Sequence, residues 1–202
     1  RAQMNPHFLF NCLNSINWYI VKNQPKEASR YLTKFSRLIR LILEYSKNRE
    51  ITLAQELDTL RLYIEMEAMR FEHHFEFDIS IAPDLDPEDI AIPPLILQPY
   101  VENAIWHGLM QKNGPGKLCV EIFSEKNLLV CVIEDDGIGR EAAAEIKGQA
   151  VRPRELHGMN ITEARLAMLK GKSSAITPVH IHDLLDASGH AAGTRVEIRL
   201  PI

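Results

Sequence analysis

Apolar positions along the chain run at helical spacing to about residue 71 and then switch to alternation. Asn5-Pro6 supplies a cap residue and a first-turn proline. After it, Leu9, Leu13, Ile16 and Ile20 step 4-3-4, the spacing of a helix that buries one face. His7, Asn11, Asn14 and Trp18 form the neighbouring stripe at the same spacing, giving a polar edge beside a core face. Asn23–Lys26, with Pro25, breaks this helix. A second helix is predicted from about Glu27 to Ser46, with Tyr31, Phe35, Leu38, Ile42 and Tyr45 on one apolar line and Leu32 and Ile39 on another. Two helices alone cannot bury that much apolar surface, which predicts pairing with a second copy as a four-helix bundle. The alternative is packing onto the C-terminal part of the chain. Thr52 and Gln55 form a capping box that opens a third helix to about Phe71, with Leu53, Leu57, Leu60, Ile64 and Ala68 on its apolar line.

Phe75, Phe77, Ile79 and Ile81 then alternate as in a half-buried strand, so a domain boundary is expected near Arg70–His74. The turn Ala82–Pro87 and the entry Ile92-Pro93-Pro94 lead into a helix over residues 95–108. In that helix Pro99 falls in the first turn, Val101, Ile105 and Leu109 make the apolar stripe, and Gly108 is expected to end it. Leu118–Phe123 and Leu128–Ile133 are predicted strands of a hairpin around Ser124–Asn127. A short helix over Arg140–Ile146, a polar mobile segment over Lys147–Glu155 and a helix over Ile161–Leu169 follow. Val179–Leu185 and Thr194–Leu200 are the last predicted strands. Three helices followed by mixed strands and helices make an α+β chain: a helical region, 1–72, and an α/β sandwich, 73–202.

Composition narrows the function classes. Twenty-three basic against 27 acidic residues leave a net charge of −4, which argues against a general nucleic-acid binder. Cys12, Cys119 and Cys131 form no C-x-x-C pair and read as reduced core cysteines of a cytosolic protein. No stretch approaches the ~18 apolar residues of a membrane span, and no signal peptide is visible. The chain begins at Arg1, a few residues before a histidine-bearing stripe. The expectation is a fragment whose sensor or membrane region lies on the N-terminal side.

Two stretches carry candidate chemistry. Asn103 and His107, four apart, share one helix face beside the apolar stripe. An amide oxygen there can ligate Mg²⁺ without adding negative charge beside a polyphosphate. A satisfied amphipathic helix has the same pattern. The second stretch is the apolar run Leu128–Ile133, which ends in Glu134-Asp135-Asp136-Gly137-Ile138-Gly139. A buried strand thereby delivers an acid to its C-terminal end, where it can accept a hydrogen bond from an exocyclic amine, and turns on two glycines that let backbone approach a ligand. His180 and His182 lie two apart on one strand face, without the further ligands of a zinc site, and are assigned as edge-strand polar residues.

The order of these boxes, with Gly158 and Gly193-Thr194 after them, resembles the GHKL ATPases, which include gyrase, the histidine kinases and the MutL repair proteins. Gln3-Met4-Asn5-Pro6-His7-Phe8-Leu9-Phe10-Asn11 resembles the phosphoacceptor box of the LytS/YehU-type sensor histidine kinases, as does Gln98-Pro99-Tyr100-Val101-Glu102-Asn103-Ala104-Ile105. The resemblance implies a helical dimerisation and phosphoacceptor region followed by a GHKL (Bergerat) α/β sandwich that binds ATP and Mg²⁺. It makes His7 the phosphoacceptor, Asn103 the Mg²⁺ ligand, Asp135 the adenine acceptor, Gly137 and Gly139 the hinge of the ATP lid, and Thr194 a support of the adenine site.

The same resemblance implies a response regulator as partner, a homodimer, and a cytoplasmic placement in a parent protein of the bacterial inner membrane, with membrane contact only through the missing N-terminal region. An exposed neutral imidazole is nucleophilic near neutral pH, which suits His7 to its role. For Asn11 two roles stay open, orienting a phosphate or water and plain helix polarity. His107 has two as well, phosphate contact and helix capping. Glu102, placed about 100° around the helix from Asn103, either polarises the attacking imidazole or forms a salt bridge. The lid departs from the family pattern: counted back from Arg165-Leu166, Leu156 and Ile161 replace a glycine and an asparagine. Backbone N–H groups at Gly158, Met159 and Asn160, opening a helix, can still hold phosphate. The rival functions are an ATP-driven clamp that does not phosphorylate itself and a non-catalytic dimeric signalling scaffold.

Overall fold

A computed structural model describes residues 6–140, 142–143 and 179–202. Its elements in chain order are α1 (Pro6–Val21), α2 (Pro25–Tyr45), β1 (Ile51–Thr52), α3 (Leu53–Arg70), β2 (Phe75–Ile81), β3 (Ala91–Ile92), α4 (Gln98–Asn103), β4 (Gly116–Glu125), β5 (Leu128–Asp135), β6 (Val179–Leu185) and β7 (Ala191–Pro201). Five strands form one sheet in the order β2-β4-β5-β7-β6, and β1 pairs with β3 in a separate ladder. The β2–β4 pair is parallel and the other three are antiparallel. This is the expected α+β architecture, a helical region followed by an α/β sandwich. The expected mobile segment over Lys147–Glu155, the helix over Ile161–Leu169, and Gly158, Met159 and Asn160 lie outside the described residues.

Local chemistry explains most boundaries. Thr52 Oγ1 accepts the Gln55 N–H at 3.2 Å and Gln55 Oε1 accepts the Thr52 N–H at 3.0 Å, so the capping box starts α3 as predicted. The β4–β5 hairpin turns on Lys126 and Asn127, both left-handed at φ 49° and 62°, as a two-residue turn matching strand twist requires. β5 is the central strand, with Leu129 through Ile133 all buried. One core joins Phe8 of α1 and Tyr63 of α3 to Ile105, Leu118, Leu129 and Ile198.

The helical region corrects two expectations. On α1 the buried stripe is Phe8, Cys12, Ser15 and Tyr19, one face away from the Leu9–Leu13–Ile16–Ile20 line. Phe8 packs on Tyr63 with ring centroids 5.4 Å apart, and the Tyr19 hydroxyl donates to the Met69 carbonyl at 2.8 Å. These contacts turn the aromatic edge inward and leave Leu13 53% and Ile20 60% exposed. On α2 the main line, Tyr31, Leu38, Ile42 and Tyr45, is buried within the chain itself, whereas Leu32 and Leu43 stay exposed. The large apolar side chains that this packing leaves exposed on α1 and α2 include Phe10, Leu13, Ile20, Leu32 and Leu43.

α3 is buried on nearly every side and is wired into the sheet region at its start. Its first N–H groups, on Leu53 and Ala54, reach the carbonyls of Ile90 and Pro87 at 2.8 and 3.0 Å. One turn on, the buried Glu56 carboxylate accepts the Leu95 N–H at 2.7 Å and the Leu97 N–H at 2.9 Å. Leu95 holds a left-handed φ of 57°, a conformation that costs a leucine of order 1 kcal/mol. Two charge-assisted bonds to Glu56 offset that cost. Glu56→Ala orphans both N–H groups in a buried turn. The expected result is a loss of about 2–4 kcal/mol in urea unfolding, and a loss below 0.5 kcal/mol would show that the carboxylate does not hold this turn.

Candidate functional site

The asparagine-bearing segment is not one straight α-helix. After α4 the backbone widens into a π-helical turn over Ala104–Gly108 and then tightens into a 3₁₀ turn over Leu109–Gln111. Gly108 is the last residue of the π turn but does not end it as a left-handed glycine cap; its φ is −93° and the chain continues into the 3₁₀ turn. Its role is close packing, because a methyl group built on it would sit 2.4 Å from Asp135 Oδ1. A methyl on Gly137 would in turn meet the Gly108 backbone at 2.3 Å. The π turn, the end of β5 and the loop after it thus meet with no side chain between them, an approach only glycine allows.

Asp135 stands at this meeting point. It is 3% exposed, and its Oδ1 accepts the Gly137 N–H at 2.9 Å. Burial pushes its carboxyl up to about 7; the Gly137 N–H opposes that shift, and neighbouring Asp136 and Glu134 reinforce it. Thr194 is its register partner on β7. Gly193 lies at φ 134°, and a methyl there would fall 1.9 Å from the Asp135 carbonyl oxygen. Gly139 also has positive φ, 77°, and packs beside Ala191. Asp136 anchors the outer side: its Oδ1 accepts the Lys117 N–H at 2.7 Å and its Oδ2 pairs with Lys112 Nζ at 2.9 Å.

The structure therefore brings Asp135, Gly137, Gly139 and Thr194 to one end of the central strands, against the π turn Ala104–Gly108, which carries His107 and follows Asn103, the last residue of α4. Asn103 and His107 are half-buried. Glu102 is also half-buried; burial pushes the proton affinity of Glu67 and Tyr63 up, and the Glu102 charge adds to both shifts. His7 belongs to the first turn of α1, on another part of the chain. Asn11 lies with Asn14, Ser15, Trp18 and Tyr19 along a groove of about 430 Å³ between α1 and the end of α3, where Arg70, Phe71 and Glu72 form the other wall. Sequence reasoning missed Gly108, Glu56 and Asp136 as parts of this architecture. His180 and His182 are exposed on edge strand β6, as assigned.

The arrangement can be tested against a purine nucleotide with magnesium. A buried carboxylate at a sheet end, ringed by glycine backbone, suits an amine donor. A carboxamide on the adjoining turn suits a hard cation. The residues present fit such a ligand.

Residues 1–75 match the family model described as histidine kinase. The sensor histidine kinase YesM of Bacillus subtilis (strain 168) is 31% identical over 201 residues, covering 100% of this chain and 32% of YesM. The sensor protein LytS of Streptococcus agalactiae serotype V is 28% identical over 211 residues, covering 100% of this chain and 33% of LytS. The chain thus spans about a third of the length of the curated relatives it matches. The solved mycobacterial sensor histidine kinase MprB superposes over 75% of this chain and 95% of its own, at 16% identity and a TM-score of 0.49, too loosely to carry residue correspondences. No helix among the described residues is long and apolar enough to cross a membrane. By its sequence matches along the whole length, the chain belongs to the sensor histidine kinase family of the LytS and YesM type.

Proposed function

We infer that the chain is the ATP-dependent phosphotransfer core of a two-component sensor histidine kinase, with residues 1–72 as phosphoacceptor and dimerisation region and 73–202 as ATP-binding domain. The observation that supports this reading is the meeting of Asp135 and Gly137, with Thr194 in register beside Asp135, against Gly108 of the π turn that directly follows Asn103. In this reading the Asp135 carboxylate accepts the adenine amine, and Thr194 lines the same end of the sheet. Asn103 would hold Mg²⁺ through its amide oxygen, and the bound ion would supply charge neutralisation beside the polyphosphate. His107 faces the phosphates, and Gly137 and Gly139 flank the start of the lid, with Gly158, Met159 and Asn160 supplying N–H groups from it. A His7 ring nitrogen attacks the γ-phosphorus, the bond to the ADP oxygen breaks, and an N–P bond forms. Catalysis is mainly positioning and charge neutralisation. Glu102 and Asn11 act around the imidazole, and the phosphoryl group passes on to an aspartate of a response regulator. The placement is the cytoplasmic part of a parent protein in the bacterial inner membrane.

The test is calorimetry with Mg²⁺-ATP. Asn103→Asp puts a carboxylate beside the phosphates in place of a neutral ligand, and the expected loss of affinity is at least about tenfold. Unchanged affinity would remove Asn103 from the site.

The partner of the helical region in this reading is a second copy, seated on the apolar positions that the chain itself leaves exposed. Leu13→Glu with Leu43→Glu places charges on that surface without touching the internal core. Light scattering should then give a monomer, against a dimer for the unmodified chain. A monomeric unmodified chain at high micromolar concentration would sink the proposal.

A further inference from the structure

The end of α3 carries a charged cluster that nothing in the nucleotide site accounts for. Glu67 has no exposed surface, and among the described residues neither carboxylate oxygen has a hydrogen-bond partner. A carboxylate left this way costs several kcal/mol, so stability alone would favour glutamine or leucine at this position. Its ion pair is with Arg70, whose Nη1 lies 3.6 Å from Glu67 Oε2, beyond the reach of a charge-assisted hydrogen bond. The guanidinium is held by rings instead. Its central carbon is 4.4 Å from the Trp106 ring centre and 4.9 Å from that of Phe71, both inside the ~6 Å range of cation–π attraction. Phe71 and Trp106 themselves meet edge to face at 5.3 Å.

Trp106 is the middle residue of the π turn, three positions after Asn103 and one before His107. We propose that Arg70 is a positioning residue for the nucleotide site: stacked on Trp106 and backed by the buried Glu67 carboxylate, it holds the π turn, and so Asn103 and His107, against the end of β5. This rests on the reading of Asn103 and Asp135 as the ATP site. Direction follows from the packing. Gly108 already touches Asp135 so closely that a methyl group would collide, so the turn cannot advance toward the strand and can only back away. A π turn depends on such clamping, since its i→i+5 ladder is the rarest helical form and is seen mostly as single turns at functional sites. Arg70 also forms part of the wall of the groove that holds Asn11 and Asn14. Arg70 therefore borders the groove along Asn11 and Asn14 of α1 while its guanidinium stacks on the turn that follows Asn103.

The experiment compares the unmodified 202-residue chain with R70Q and R70K. It uses hydrogen exchange of the amides in residues 104–111 and calorimetry with Mg²⁺-ATP, with circular dichroism as the check on folding. R70Q should speed exchange in 104–111 by about tenfold, leave β4 and β5 unchanged, and weaken ATP by a similar factor. R70K keeps the charge but not the planar surface, so it should not rescue either readout. W106L combined with R70Q should cost no more than W106L alone. Unchanged exchange in 104–111, full rescue by R70K, or additive losses in the double variant would each overturn the proposal. Failure of the unmodified chain to bind ATP would instead overturn the nucleotide reading, and the exchange data would still decide whether Arg70 holds the turn.

Discussion

Asp135→Asn should leave the chain more stable and bind ATP about a hundredfold more weakly. Burial raises the Asp135 carboxyl from the ordinary value of 3.8 to about 7. The folded value thus lies above the unfolded one, which fixes the sign. The contribution to stability is fully present below about pH 4, declines as the pH rises and the unfolded chain releases its proton first, and is fully lost above about 7. At pH 8 the folded protein carries the whole penalty of a buried carboxylate. An asparagine of the same shape removes it, keeps an oxygen for the Gly137 N–H, and adds no atom to the contact with Gly108. A gain on the order of 2–4 kcal/mol at pH 8 corresponds to a rise in Tm of several degrees for a chain of this size. At pH 4 the gain should vanish.

The same substitution exchanges a strong acceptor for a neutral amide at the adenine position. Removing a charged partner from a buried hydrogen bond costs about a hundredfold in affinity. Opposite signs for stability and binding are the mark of a group kept for function at the expense of the fold. If calorimetry shows Asp135→Asn binding Mg²⁺-ATP as well as the unmodified chain, Asp135 is a structural residue. If the variant is less stable at pH 8, the burial argument fails.

Why some of this was legible in the sequence and some was not follows from how local each signal is. The capping box of α3, the alternation of β2 and the apolar run of β5 are written in adjacent residues, and the structure has each of them. The strand ending at Asp135 and the glycines after it are equally local. The α1 stripe was misjudged because two neighbouring lines have the same period. Which one finds a partner depends on Tyr63 and Met69, some fifty residues away, and Cys12 and Ser15 make the buried line look the more polar. Gly108 looks like a helix stop in one dimension and becomes a contact surface only when β5 is beside it. Glu56 looks like one more solvated helix carboxylate until the turn at Leu95 arrives. The two-residue strands β1 and β3 are too short to show any period. In each case the missing information was the identity of a distant neighbour.

His7→Gln should abolish phosphoryl labelling while leaving ATP affinity within about twofold, since His7 and the sheet end belong to different parts of the chain and distant sites act independently. α1 begins at Pro6, so His7 occupies its first turn. Two features of that position favour the chemistry. The first-turn N–H groups have no acceptors within the helix, and the positive end of the helix dipole stabilises the added phosphoryl charge. Proline supplies the turn geometry and has no N–H to leave unpaired. The imidazole needs only one unprotonated nitrogen, which an ordinary histidine has at neutral pH. Incubation with γ-labelled ATP and Mg²⁺ should therefore label the unmodified chain, with the label stripped by acid and retained in alkali, as expected of an N–P bond and not of a serine ester. Label that resists acid, or that persists in His7→Gln, would place the acceptor elsewhere. Good ATP binding with no label in the unmodified chain would overturn autophosphorylation by these 202 residues and return the chain to the class of nucleotide-binding dimeric scaffolds.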